Sequence, residues 1–214
     1  MEKARNNFLI IFTRYPRPGR SKTRLIPVLG PINAALLQKA LTELTIRKIQ
    51  PLAKSGMIRT RVFFDGASNA EMMDWLGHEL VFQEQADGDL GYRMLNAFDD
   101  SFNSHDASSA VIIGTDIYEL EADLINEAFS ALLEADVVIG PAKDGGYYLI
   151  GLNNSCPELF NNISWGTSSV LKQTLARTFS LNMKVHILRT LHDIDRPDDL
   201  EHLDLESLIP SLNR

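Results

Sequence analysis

Short runs of β-branched and aromatic residues recur along the chain, spaced by stretches with helical periodicity, and this alternation limits the architectures open to it. "FLIIFT" (8–13), "IRTRVFF" (58–64), "ELVFQ" (79–83), "SAVIIGTD" (109–116) and "DVVIGPA" (136–142) read as strands. Between them, "PINAALLQKALTELTIRKIQPLA" (31–53), "SNAEMMDWLG" (68–77), "GDLGYRMLNAFDDSFNS" (88–104) and "EADLINEAFSALLEA" (121–135) carry helical patterns. Pro31 suits a first helical turn, and Gly77 a helix stop. Apolar strands alternating with helices predict an α/β fold, a three-layer α/β/α sandwich around a mainly parallel sheet.

The rhythm breaks after residue 142. "GGYYLIGL" (145–152) follows the previous strand too closely for a crossover helix, so those two are not a parallel pair and the sheet is mixed. "SSVLKQTLARTFS" (168–180) reads as a helix, "MKVHIL" (183–188) as a late strand and "RPDDLEHLDLESL" (196–208) as a final helix. No linker or internal repeat interrupts the order, so a single domain over 1–214 is expected.

Charge and composition narrow the class of ligand. The 214 residues carry a formal charge of -7, which argues against a nucleic-acid surface. No apolar run approaches the ~20 residues that cross a bilayer. The start, "MEKARNNFLIIF", lacks a small-residue cleavage site, so no membrane association and a cytoplasmic protein are expected. The single cysteine, Cys156, excludes an internal disulfide and reads as a small hydrophobe. His78, His105, His186, His192 and His202 have no zinc-ligand spacing.

Against that acidic background, "RYPRPGRSKTRL" (14–25) concentrates Arg14, Arg17, Arg20, Lys22 and Arg24 directly after the first strand. Loops at the carboxyl ends of α/β strands bind ligands. Guanidinium groups grip phosphate bidentately, Lys22 adds a compact charge, and Gly19 permits close backbone approach. The spacing is not that of a P-loop. A small anionic ligand bearing phosphate is the partner this loop predicts.

Three further stretches carry candidate chemistry. In "VIIGTDIYEL" (111–120), Asp116 leaves the most apolar strand, where it either anchors a divalent cation or caps a turn. In "GPAKDGGYYLIGL" (140–152), a hairpin accounts for Gly145 and Gly146, while Lys143 and Asp144 beside bare backbone suit an acceptor hydroxyl. In "LHDIDRPDDL" (191–200), Asp198 and Asp199 fit a helix start, leaving Asp193 and Asp195 as spare carboxylates for a metal. "SWGTSSV" (164–170) offers Thr167 and Ser168 as helix caps, and Trp165 as core or stacking surface. "ADGD" (86–89) reads either as an Asp-x-Asp or as a loop leading into a helix.

Taken together, "PRPGRSKTRL" (16–25), "GDLGYRM" (88–94), "IIGTD" (112–116), "KDGGYYLIGL" (143–152), "SWGTSSV" (164–170) and "DIDRPDDL" (193–200) resemble the glycosyltransferase-A-type nucleotide-diphospho-sugar transferases. More narrowly, they resemble a bacterial family associated with radical-SAM/selenodomain proteins and arsenosugar biosynthesis. The layout is also similar to that of cytidylyl- and guanylyltransferases. The resemblance implies that Arg14, Lys22 and Arg24 hold nucleotide phosphates and that Asp116 and Asp195 bind Mg²⁺ or Mn²⁺. It also implies that the Asp144–Gly146 turn lies against the transferred group or acceptor. Tyr118 stands where relatives carry proline, and the Asp-x-Asp of sugar transferases is absent at the middle strand.

The first half is thus expected to bind nucleotide and the second to face the acceptor. Asp144 is the candidate base, with Lys143, Gly145, Gly146 and Trp165 around the acceptor. Three activities fit these residues. One is a metal-dependent glycosyltransferase using a nucleotide-sugar and a small-molecule acceptor. Another is a nucleotidyltransferase releasing pyrophosphate from a nucleoside triphosphate. The third is a nucleotide-binding module without catalysis. Base, sugar, acceptor and oligomeric state are not legible.

Overall fold

The computed structural model of the chain describes residues 5–54 and 56–209; residues 1–4, where the N-terminal stretch begins, lie outside them. In chain order the elements are β1 (Asn7–Arg14), α1 (Ile26–Lys54), β2 (Ile58–Asp65), α2 (Asn69–Leu76), β3 (Val81–Glu84), α3 (Leu90–Asp99) and β4 (Ser109–Gly114). Then follow α4 (Ala122–Ala131), β5 (Val137–Pro141), β6 (Tyr147–Leu152), α5 (Pro157–Phe160), α6 (Val170–Ser180), β7 (Val185–Ile187) and α7 (Leu205–Leu208).

The seven strands form one sheet in the order β3-β2-β1-β4-β6-β5-β7. β6 is antiparallel to both β4 and β5, and every other pairing is parallel. The expected mixed sheet is therefore present, and its physical cause is the short turn after β5. A chain that reverses so tightly returns antiparallel. It also inserts between β4 and β5, so the opening of β6 lies at the same sheet edge as the ends of β1 and β4.

Side chains alternate between two packed faces, as strand geometry requires. Leu9, Ile11, Val111 and Ile113 meet Ile49 of α1, Met72 of α2 and Ile125 of α4. Phe8, Ile10, Ile112 and Ile150 meet Met94 and Phe98 of α3 and Phe160 of α5. Helices thus cover both faces, giving the three-layer α/β/α fold. A third cluster joins Leu25, just beyond the basic loop, to Leu37 and Leu41 of α1 and to Ile194 near the C-terminus. That cluster brings the end of the basic loop and the 194–209 segment to one place.

Several boundaries differ from the sequence expectation. The strand read over 109–116 ends at Gly114, which leaves Thr115 and Asp116 in the loop beyond it. α1 starts earlier than Pro31, but Gly30 is non-helical (φ 74°, ψ 163°), so the long continuous part does begin at Pro31. The final helix is broken: Pro197–His202 is a 3-10 helix, and Leu203 is extended before α7. The short α5 was not anticipated. The stretch Thr23–Lys54 also has the length and apolar composition of a membrane span. Its apolar residues Leu37, Leu41 and Ile49 are buried in the protein interior, and Gln38, Thr42 and Thr45 are buried with them.

Candidate functional site

A cavity of about 400 Å³ opens where β1 and β4 end and β6 begins. It is lined by Arg14, Arg24, Asp116, Asp144, Gly146, Trp165 and Asp195 from the expected set. Four of the expected residues, Gly19, Lys22, Lys143 and Gly145, lie outside the lining. The volume is in the range of small-molecule sites.

The five cations of the opening loop divide by role. Arg24 forms an ion pair with Asp195, at the cavity edge. Arg14 donates to Asp65 Oδ2 from Nε at 3.1 Å and from the terminal nitrogen at 2.8 Å. Arg17 turns away: it donates to the Gly66 carbonyl and to Glu71 of α2, and its guanidinium lies over Tyr15. It pins the loop to its neighbour. Gly19 occupies the exposed turn in which Arg20 N–H and Ser21 N–H donate to the Arg17 carbonyl.

Lys22 departs most from expectation. Its side chain is 2% exposed, its ammonium stands 2.6 Å from Asp116 Oδ1, and it donates to the Ile194 carbonyl at 2.5 Å. Lys22 also adopts the left-handed conformation (φ 48°, ψ 45°), which non-glycine residues seldom do. Ile194 N–H in turn donates to the Asp116 carbonyl at 2.9 Å. The lysine therefore ties the β4 exit to the 193–195 segment instead of facing the cavity.

The acidic residues gather on the same side. Asp193 lines the cavity beside Asp195 and Asp144. Burial, then the negative charge of Asp144, push its carboxyl up to about 6 from 3.8, with Asp199 and Asp195 adding to the effect. Asp116 Oδ1 is buried and has the Lys22 ammonium beside it, yet it accepts no well-directed hydrogen bond; the side chain as a whole is 46% exposed. Among the described residues no group of three or more His, Cys, Asp or Glu forms a self-sufficient metal site. Two carboxylates nevertheless suit Mg²⁺, which takes one or two from protein and the rest of its oxygens from water and substrate phosphate. Asp116 and Asp195 both line the cavity, Asp116 with a buried Oδ1 that accepts no hydrogen bond, and so supply the number of carboxylates such an ion takes.

Asp144 Oδ1 accepts from Gly146 N–H at 2.7 Å, closing the turn between β5 and β6 and holding the carboxylate at the cavity. Gly145 has a different task. Its φ is +92°, and a Cβ there would lie 2.2 Å from the Ser168 carbonyl oxygen. Leu171 N–H donates to the Gly145 carbonyl at 2.9 Å. Gly145 thus docks the turn against the start of α6. Lys143 is exposed. Thr167 and Ser168 do not cap α6. Ser169 stands at the N-cap with no capping bond from its side chain, while Thr167 Oγ1 donates to the Ser164 carbonyl and accepts from Ser169 N–H at 3.4 Å.

Trp165 forms a wall of the cavity through a contact that links two sequence motifs. A Cβ on Gly91 would fall 2.4 Å from Trp165 Nε1, so the indole lies directly against the first turn of α3. Tyr147 meets the same ring edge-on, with centroids 6.4 Å apart. Burial pushes the Tyr147 phenol far above its usual range, so it stays neutral. The "ADGD" stretch resolves as a cap: Asp89 accepts from Tyr92 N–H at the start of α3.

Sequence reasoning missed Asp65, Gln85 and Arg93. Arg93 reaches the Gly88 carbonyl (3.0 Å), Asp65 and Gln85, the last two both at 3.4 Å. A signal existed for two of them, since Asp65 ends β2 and Arg93 lies one turn into α3 within "GDLGYRM". Also missed was a buried network of Thr13, Gln38, Thr42 and Thr115, with contacts of 2.9–3.3 Å. Three of its members, Thr13, Gln38 and Thr115, line the cavity. Cys156 is half-buried, and burial raises its thiol, as suits a packing residue.

Comparison with solved structures places this fold among known ones. A protein from Desulfovibrio desulfuricans G20, provisionally named a nucleotide-diphospho-sugar transferase, superposes with a TM-score of 0.86 at 26% identity, over 98% of this chain and 96% of that one. The inositol-1-phosphate CTP transferase of T. maritima gives 0.58 at 14% identity, over 98% of both chains. Glucosyl-3-phosphoglycerate synthase of Mycobacterium tuberculosis, in complex with Mn²⁺, UDP and glucosyl-3-phosphoglycerate, gives 0.58 at 12% identity, over 97% of this chain and 78% of that one. The last two are likenesses of fold alone. No protein of curated function matches in sequence. A family model matches residues 48–167, more than half of the chain, including Asp116, Asp144 and Trp165. The chain belongs to that family, DUF2064, described as uncharacterized protein conserved in bacteria.

Proposed function

We propose that this chain is a nucleotide-utilising transferase, and specifically a glycosyltransferase acting on a nucleotide-diphospho-sugar. The observation that carries the reading is the meeting of Arg24 with Asp195 and of Lys22 with Asp116 beside one cavity. Cations from the N-terminal loop and carboxylates from distant segments converge where a metal–diphosphate complex has use for both. The names of the Desulfovibrio and Mycobacterium proteins agree with it.

In this reading Arg14, Arg24 and Arg93 surround the diphosphate and stabilise the charge that develops as it leaves. Asp116 and Asp195 hold Mg²⁺ or Mn²⁺, which when bound neutralises phosphate charge as a Lewis acid. Lys22 keeps Asp116 in place from beneath. Asp144, with one oxygen held by Gly146 N–H, presents the other to take the proton from an acceptor hydroxyl. Asp193 lines the cavity beside it, with its carboxyl pushed up to about 6 by burial and by the negative charge of Asp144.

Nucleotidyl transfer is the second reading. It is favoured by the match over 98% of both chains to the CTP transferase, whereas the glycosyltransferase is longer than this chain. A thermal-shift screen of nucleoside di- and triphosphates and sugar nucleotides, with and without Mn²⁺, tests the shared premise. Ligand at ~100 times its Kd adds ~2.7 kcal/mol, which such a screen detects. Release of nucleoside diphosphate from a sugar nucleotide supports the glycosyltransferase, and release of pyrophosphate from a triphosphate replaces it with the second reading. A protein that shifts with nucleotide but turns over neither is a binding module.

A further inference from the structure

The cavity is divided by chemistry along the sheet. Over β2 and β1 it presents Arg14, Asp65, Gln85 and Arg93, groups that hydrogen-bond. Over β4 and β6 it presents Ile112, Ile150, Tyr147, Trp165 and Val170, with Thr115, Asp116, Asp144 and Thr167 as the polar groups of that half. Ile112 and Ile150 are register partners on the face that packs against α3, so they form a continuous floor. Two residues further along β4 on that face stands Gly114, where a Cβ would have no atom within 4 Å. A missing side chain thus leaves open space directly above an aliphatic floor, with the indole of Trp165 and the ring of Tyr147 as walls. The Asp144–Gly146 turn stands beside it, so this half is continuous with the site described above.

We infer that the β4–β6 half of the cavity is an acceptor subsite for a small molecule bearing an aryl or alkyl group, and that Gly114 sets its depth. Hydroxyls placed against Ile112, Ile150 and Val170 would lose their water and meet only aliphatic carbon, at a cost that disfavours a polyhydroxylated body on that surface. Apolar surface buried on that floor favours binding instead. The acceptor's reacting hydroxyl then lies toward Asp144, with the apolar body beneath it. This inference rests on the transferase reading for the word acceptor, but the subsite itself rests only on the lining.

The test uses probes for each half of the cavity. 1-Naphthol and glucose are titrated into the full chain by calorimetry and Trp fluorescence, and inorganic pyrophosphate with Mn²⁺ is titrated separately. 1-Naphthol is expected to bind at least about tenfold more tightly than glucose. Gly114→Val fills the open space, and the open surroundings of its Cβ let the variant fold. It is expected to weaken 1-naphthol by about tenfold more than it weakens pyrophosphate, with Gly114→Ala intermediate. Equal affinity for glucose, an unchanged response in both variants, or displacement of 1-naphthol by a nucleoside overturns the inference. Failure of pyrophosphate to bind while 1-naphthol behaves as stated removes the transferase reading and leaves the apolar subsite standing.

Discussion

The Lys22 ammonium bridges Asp116 Oδ1, at 2.6 Å, and the Ile194 carbonyl, at 2.5 Å, from a side chain that is almost wholly buried. A residue from the loop after β1 thereby holds together the two segments that supply the candidate metal ligands. Next to it, Arg24 pairs with Asp195 at the cavity edge. One cation of the loop is thus buried in a bridge between segments, and the other stands partly exposed at the cavity.

Replacing Lys22 by Met strands a buried carbonyl and a buried carboxylate oxygen. Because Asp116 is partly solvated, the expected loss is about 1–3 kcal/mol, less than for a fully buried pair. Urea denaturation measures it. A variant as stable as the parent would show that the bridge contributes nothing to the fold.

Arg24→Ala removes a charge that faces the cavity. Pyrophosphate binding should weaken by roughly 10- to 100-fold, the range of a charge-assisted hydrogen bond, while nucleoside binding changes much less. Mn²⁺ alone should bind more tightly, since Asp195 loses its competing partner. Calorimetry reads all three, and equal losses for pyrophosphate and nucleoside would mark Arg24 as structural.

Gly145→Ala and Gly146→Ala separate packing from chemistry in one turn. At Gly145 the positive φ and the 2.2 Å approach to the Ser168 carbonyl predict a loss of at least about 2 kcal/mol and a loosened start of α6. At Gly146 a Cβ meets Asp144 Oδ1 at 3.1 Å, so stability changes less and transfer activity falls. Thermal melts with activity assays compare them, and the reverse ranking counts against the assignment.

Asp193 predicts a pH signature. Its folded pKa, about 6, lies above its ordinary 3.8, so the fold favours the protonated form. That contribution is fully present below pH ~4 and is lost as pH rises through about 6. Asp193→Asn should therefore stabilise the protein above pH 6, by about 1 kcal/mol once solvent screening of this half-buried group is allowed for. The gain should fade toward pH 4. Urea titrations at pH 4.5 and 8 check this, and a difference independent of pH refutes it.

The alternation of apolar runs and helical patterns was legible because local periodicity records which side chains face the interior. "SAVIIGTD" and "GGYYLIGL" declared themselves as core strands, and the brevity of the connection before the second already required it to run antiparallel. The motifs around Asp116, Asp144 and Arg24 pointed to the cavity edge for a related reason: strand exits in such sheets face ligands. Gly91 and Trp165 could each be seen, but not that one leaves room for the other.

By itself, then, the sequence determined the layers, the succession of strands and helices along the chain with its break at the hairpin, and the collection of charged residues at the strand exits. Only the tertiary structure decided which charge meets which: Lys22 turned inward to Asp116, Arg17 turned aside to Glu71, Arg24 and Asp195 joined at the cavity, and Asp193 crowded by Asp144. The reason is that burial patterns are written in the spacing of neighbours along the chain. Ion pairing depends on distances and desolvation between segments that meet only after folding.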